Sequence, residues 1–135
     1  MTSQVGDVAM QARAELRLRL MIEASDEDGV AALIPSIETG LCGLARIATW
    51  SCERYWKFPK LFDCDLLLAP EGSPSAAFDR ILGLATHWQR YDNDDEAADR
   101  EAIWSRNVTP DGMFIHPQIE WVQMSQHPEL PRTTV

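Results

Sequence analysis

The ten residues AELRLRLMIE, Ala14 to Glu23, constrain the fold more than any other stretch. Leu16, Leu18, Leu20 and Ile22 fall on one side; Glu15, Arg17, Arg19 and Glu23 fall on the other. A period of two belongs to a strand with one buried face. The polar side mixes signs, which suits cross-strand ion pairs better than phosphate binding. A sheet with one apolar face must bury it against other elements, so the rest of the chain has to supply them.

Two helical patterns do so. Ser25 with Asp28 resembles a capping box, and Asp26, Glu27 and Asp28 suit the first turn of a helix dipole. Val30, Leu33, Ile34 and Ile37 then form an apolar stripe. Pro35 should kink or shorten this helix, and Gly40 should stop it. In APEGSPSAAFDRILGLATHWQR, Ser73 is a good N-cap and Pro74 fits the first helical position. Phe78, Ile81, Leu82 and Ala85 give its stripe, and Trp88 extends it.

The remaining segments read as strands. ARIATWSCERYWKF is β-branched and aromatic, and FPK makes a turn or bulge after it. LFDCDLLLA alternates Phe62, Cys64, Leu66 and Leu68 against Asp63 and Asp65, which predicts an antiparallel partner strand. VTPDGMF is a turn signal between EAIWSRNV and MFIHPQIEWVQM, with Pro117 at an edge or bulge. The order predicts an α+β sandwich: an antiparallel sheet with two helices on one face, ferredoxin-like βαββαβ, with a C-terminal hairpin. The 135 residues suit one domain, with a core at 12–124 and loose ends at 1–10 and 125–135.

Charge narrows the function. Twelve basic side chains face 21 acidic ones, a net charge of −9. Nucleic acid is disfavoured, because phosphate contacts need Lys or Arg, and so are anionic membranes. A basic protein partner is favoured through steering and complementarity. No apolar run suits a signal peptide or a membrane span, so the expected location is cytoplasmic. Cys42, Cys52 and Cys64 fit no zinc or redox spacing and are expected as buried, reduced thiols.

YDNDDEAADRE, Tyr91 to Glu101, concentrates the acids: Asp92, Asp94, Asp95, Glu96, Asp99 and Glu101. As a calcium loop it fails, because Ala97 stands where Gly is needed and Ile103 where Glu is needed. No HExxH or HxxxH pairs His87, His116 or His127, so neither a metal nor a cofactor is expected. No GxSxG or phosphate loop occurs. Tyr91 and Trp104 flank the acids, the composition of an apolar anchor with a charged rim. RYWKF cannot turn all its aromatics, Tyr55, Trp56 and Phe58, inward, so at least one of them should be exposed.

With its acidic segment, its exposed aromatics and its lack of catalytic motifs, the chain resembles the small acidic immunity proteins of bacterial contact-dependent inhibition and related polymorphic toxin systems. The resemblance implies a cognate basic toxin, possibly a nuclease, blocked by occlusion of its active site. On that reading the acids meet toxin Lys and Arg, and Tyr91, Trp104, Tyr55 and Trp56 supply anchors. Two other readings stand beside it. One is a small ligand-binding or enzymatic ferredoxin-like domain using His87, Cys64 and Asp79. The other is a subunit of a larger complex.

Overall fold

The computed structural model describes residues 14–91, 100–108 and 111–128. Its elements in order are β1 (Ala14–Glu23), α1 (Glu27–Gly40), β2 (Ala45–Arg54), β3 (Leu61–Pro70), α2 (Pro74–Leu82), β4 (Gln89–Arg90), β5 (Arg100–Ser105) and β6 (Ile119–Pro128). The six strands form one sheet in the order β2-β3-β1-β6-β5-β4, with every neighbouring pair antiparallel. Both helices cover the same face. The expected layering of sheet and helices is therefore present, with β5 and β6 as the expected hairpin and β4 added at the edge beside β5.

The alternation in β1 does what its pattern requires. Leu16, Leu18, Leu20 and Ile22 are buried under the helices with Phe62, Cys64, Leu66 and Leu68 of β3 and Val122 and Met124 of β6. Val30, Leu33, Ile34 and Ile37 of α1 and Ala77, Phe78, Ile81 and Leu82 of α2 close this core. Strand β1 sits in the middle, with Leu18 opposite Leu66 on one side and Met124 on the other.

Several local expectations are corrected. The cap of α1 is Asp26, not Ser25: Asp26 is extended, and its Oδ1 accepts from Gly29 N at 2.9 Å. Ser25 instead offers its carbonyl to Arg54 Nη2 at 3.1 Å. Pro35 does not shorten α1. It lies on the exposed side, as does Ala31, whose carbonyl loses its usual donor, so water can replace that bond. Helix α2 stops at Leu82, well before Trp88. Trp88 folds back, and its Nε1 donates to Leu82 O at 2.7 Å and Ala85 O at 3.1 Å. The indole thus satisfies carbonyls that the helix end leaves open.

Strand β2 ends at Arg54, and Tyr55–Lys60 make the connection to β3, closed by Tyr55 N donating to Leu61 O at 2.8 Å. Strand β6 begins only at Ile119 and runs on to Pro128, so Ser125 and Gln126 are buried ladder residues and not a loose end. The reason lies in the preceding loop. Ile115 has φ 63°, a rare region for a β-branched residue, and Pro117 has no N–H for a ladder. This conformation drives Ile115 against Gly40: a Cβ there would lie 2.7 Å from Ile115 Cγ2. Phe114 is buried in the same loop and meets Trp88 edge-on at 5.7 Å.

Candidate functional site

The helices cover one face of the sheet, and among the described residues no element covers the other. The alternation that buries Leu18 also points Arg17 and Arg19 outward, and the register fixes their neighbours. Arg19 lies opposite Asp65 on β3 and Gln123 on β6; Met21 lies opposite Asp63 and Trp121. Ser51 and Glu53 of β2 and Glu101 of β5 extend these rows to either side. The groove over them is lined by Arg17, Arg19, Glu53, Asp63, Asp65 and Gln123.

Diagonal ion pairs hold this floor. Arg17 Nη1 meets Asp65 Oδ2 at 2.7 Å. Arg19 grips Asp63 with two bonds, Nε to Oδ1 at 2.9 Å and Nη2 to Oδ2 at 2.7 Å. The two-pronged bond fixes both groups in one plane. It also raises the Arg19 pKa, chiefly through the hydrogen bond from the guanidinium to Asp63, against an opposing effect of burial. Arg19 stacks over Trp121 at 5.6 Å, and Gln123 Nε2 donates to a Glu101 carboxylate oxygen. Asp63 and Asp65 therefore serve as ion-pair partners on the open face, as the mixed-sign pattern predicted.

The aromatics gather at one end of this face. Trp56 is 79% exposed and Phe58 58% exposed on the β2–β3 connection. Tyr55 lies between them, 6.2 Å from Trp56 and 6.0 Å from Phe58, ring centre to ring centre. Arg54 steadies the connection by donating to Pro59 O at 2.7 Å and to Ser25 O, with its guanidinium 4.7 Å from the Phe62 ring. A second groove joins this tip to the sheet through Met21, Tyr55, Phe58, Leu61, Ser105 and Trp121.

The flanks of the acidic segment lie elsewhere on the sheet. Asp92, Asp94, Asp95, Glu96 and Asp99 lie outside the described residues. Their flanks are described: Tyr91 is half exposed, and its N–H donates to Glu101 O at 2.7 Å, which brings the two ends of the segment together. Glu101 pairs with Ser125 near one end of the strands, whereas the aromatic tip adjoins Glu23 and Leu61 at the other. Among the described residues, Tyr91 and Glu101 thus lie towards one end of the sheet and Tyr55 and Trp56 at the other, not in one patch.

Trp104 belongs to neither group. It was expected as an exposed anchor, but it is 1% exposed and packed in the core. It alternates with Ile103 and Ser105 on β5, and its turn of the strand faces the helices. Its Nε1 has no hydrogen-bond partner among the described residues. The residues suspected of ligand or acid–base chemistry do not converge either. His87 is not on α2; it is exposed in the following loop at φ 65°, beside Thr86 Oγ1 at 3.0 Å. Asp79 is taken by Arg100 Nη2 at 2.6 Å. Cys64 is buried and Cys52 half-buried, but Cys42 is exposed, against the expectation for all three. Burial pushes the Cys64 thiol up to about 12, and it also raises Cys52, with help from Glu27.

Arg19 and Trp121 were missed as parts of a site. The signal for Trp121 was present: IEWVQM alternates, and Trp121 shares its side with Gln123. Among the described residues no helix is long and apolar enough to cross a membrane. Comparison with protein-family models, curated proteins and solved structures gives no significant match to this chain.

Proposed function

We propose that this chain is an immunity-type protein that binds and neutralises a basic toxin by covering its active site. The observation that carries the reading is the exposed aromatic tip, Trp56 and Phe58, held beside an uncovered sheet face. Large aromatics left in water next to an open groove are characteristic of a protein contact. The net charge of −9 favours a basic partner. Tyr91 and the acids from Asp92 to Glu101 offer a second contact, suited to Lys and Arg of a nuclease cleft. The element order β1-α1-β2-β3-α2-β6 fits a ferredoxin-like core, with β5 returning onto β6 as the C-terminal hairpin. The cytoplasm suits such an inhibitor.

Pull-down with the tagged protein from its source cells, washed at low and then high salt, tests the reading. One stoichiometric basic partner is expected, whose toxicity to growing cells is relieved by this chain. Reversal of Asp94, Asp95 and Glu96 to Lys should weaken capture most at low salt. Trp56→Ala with Phe58→Ala should weaken it at both. Absence of any partner at either salt, or a partner indifferent to both sets of changes, overturns the proposal.

A further inference from the structure

Cys52 and Cys64 are direct cross-strand partners in the β2–β3 ladder. Their position within the ladder matters. Tyr55 N donates to Leu61 O, while Leu61 N turns to Phe58 O, so Tyr55 and Leu61 stand at a hydrogen-bonding position of the ladder. Pairs alternate along an antiparallel ladder, so Arg54/Phe62 is non-bonded, Glu53/Asp63 bonded, and Cys52/Cys64 non-bonded. At such positions the Cα atoms are about 4.5 Å apart and the side chains are at their closest. A disulfide requires a Cα separation of roughly 4.4 to 6.8 Å. The paired backbone therefore sets the two side chains on the same side of the ladder at a separation that a disulfide can span.

We propose that Cys52 and Cys64 form a reversible disulfide when the protein meets a peroxide. Access separates their roles. Cys52 is half-buried on β2, the edge strand among the described residues. Cys64 is fully buried, and its Sγ lies 3.8 Å from Phe62 O. The peroxide therefore reaches Cys52 first. The Cys52 thiolate attacks one peroxide oxygen, the O–O bond breaks, and hydroxide leaves, giving a sulfenic acid at Cys52. Cys64 then loses its proton, its sulfur attacks the Cys52 sulfur, the S–O bond breaks, and water leaves. In sum two thiols and one hydrogen peroxide give one disulfide and two waters, with two electrons passing from sulfur to oxygen.

The environment sets the pace. Burial keeps both groups protonated at neutral pH, so the step is slow there and speeds up as the Cys52 thiolate fraction rises. The bridge closes a loop of about thirteen residues and fastens β2 to β3.

The test uses the full chain carrying Cys42→Ser, which removes the exposed third thiol. Hydrogen peroxide is added at pH 7 and pH 8, and the digest is mapped by mass under non-reducing conditions. The expected result is a Cys52–Cys64 linked peptide, lost on treatment with dithiothreitol. It should form up to about tenfold faster at the higher pH. The oxidised protein should melt at least about 5 °C above the reduced protein. Cys52 accumulating as sulfinic acid beside a free Cys64 would overturn the proposal. So would a bridge that forms only in urea, or no bridge at all. The unsubstituted protein, mapped the same way, keeps the test valid if Cys42→Ser folds poorly.

Discussion

Trp56 and Trp104 were both expected to face a partner, yet one is 79% and the other 1% exposed. Truncating each to Ala should separate them sharply. Trp104 fills the core between β5 and the helices, so Trp104→Ala leaves a cavity that neighbours only partly fill. Such changes cost about 3–5 kcal/mol. Trp56 gives up little contact, so Trp56→Ala should stay within about 0.5 kcal/mol of the parent. Trp104→Phe should fall between them. It loses apolar contact, but it also removes a buried N–H without a described partner, whose desolvation costs about 1–3 kcal/mol. The two terms oppose, so a net loss under about 1.5 kcal/mol is expected. Urea melts followed by circular dichroism measure all three without depending on tryptophan emission. With a slope of roughly 1–3 kcal/mol/M, the Trp104→Ala midpoint should drop by more than about 1 M. A Trp56→Ala loss above about 1.5 kcal/mol, or a Trp104→Ala melt matching the parent, would refute the division into core and contact.

Three further outcomes follow from the same geometry. A double-mutant cycle of Arg19→Ala and Asp63→Ala should give a coupling of about 1 kcal/mol, since the bond is two-pronged but Arg19 is partly in water; zero coupling would remove it from the frame of the open face. Gly40→Ala should destabilise by about 1–2 kcal/mol, because overpacking against Ile115 outweighs the roughly 1 kcal/mol gain in helix propensity; a stabilised variant in a thermal melt would contradict the close approach. The Cys64 thiol rises from 9.0 to about 12 on folding, so its contribution is complete below pH 9 and is lost as pH climbs towards 12. Alkaline melts should therefore fall more steeply for the parent than for Cys64→Val, and parallel curves would argue against the burial.

Period-two patterns gave the fold its most legible part. Alternation in β1 and β3 named the buried residues, and the helical stripes named those that cover them. Boundaries were less legible because tertiary contacts set them. Trp88 looked like a helix extension by spacing, but its indole serves the helix better as a cap. Pro35 looked like a break, yet the helix accepts it on its wet side. Trp104 looked like an anchor by its proximity to acids in sequence; the strand parity that buries it could have been read from REAIWS, where Ala102 and Trp104 share a side. The open face was half legible. Its ion pairs followed from mixed signs, but Arg19 beside Trp121 depends on β1 meeting β6, a pairing that no local pattern reveals.

That pairing also sets the order in which the molecule can assemble. Strand β1 leads the described chain, and its second neighbour, β6, closes it, with Leu18 opposite Met124. Contacts this far apart in sequence slow folding, since a long loop must close before they bring any gain. During synthesis β1 can join β3 early, but one of its edges stays bare until Ile119–Pro128 has been made. Until then the centre of the sheet is a temporary edge, with Leu16, Leu18, Leu20 and Ile22 half covered. The newborn chain is most prone to mispairing there, and not at the edges seen in the finished protein.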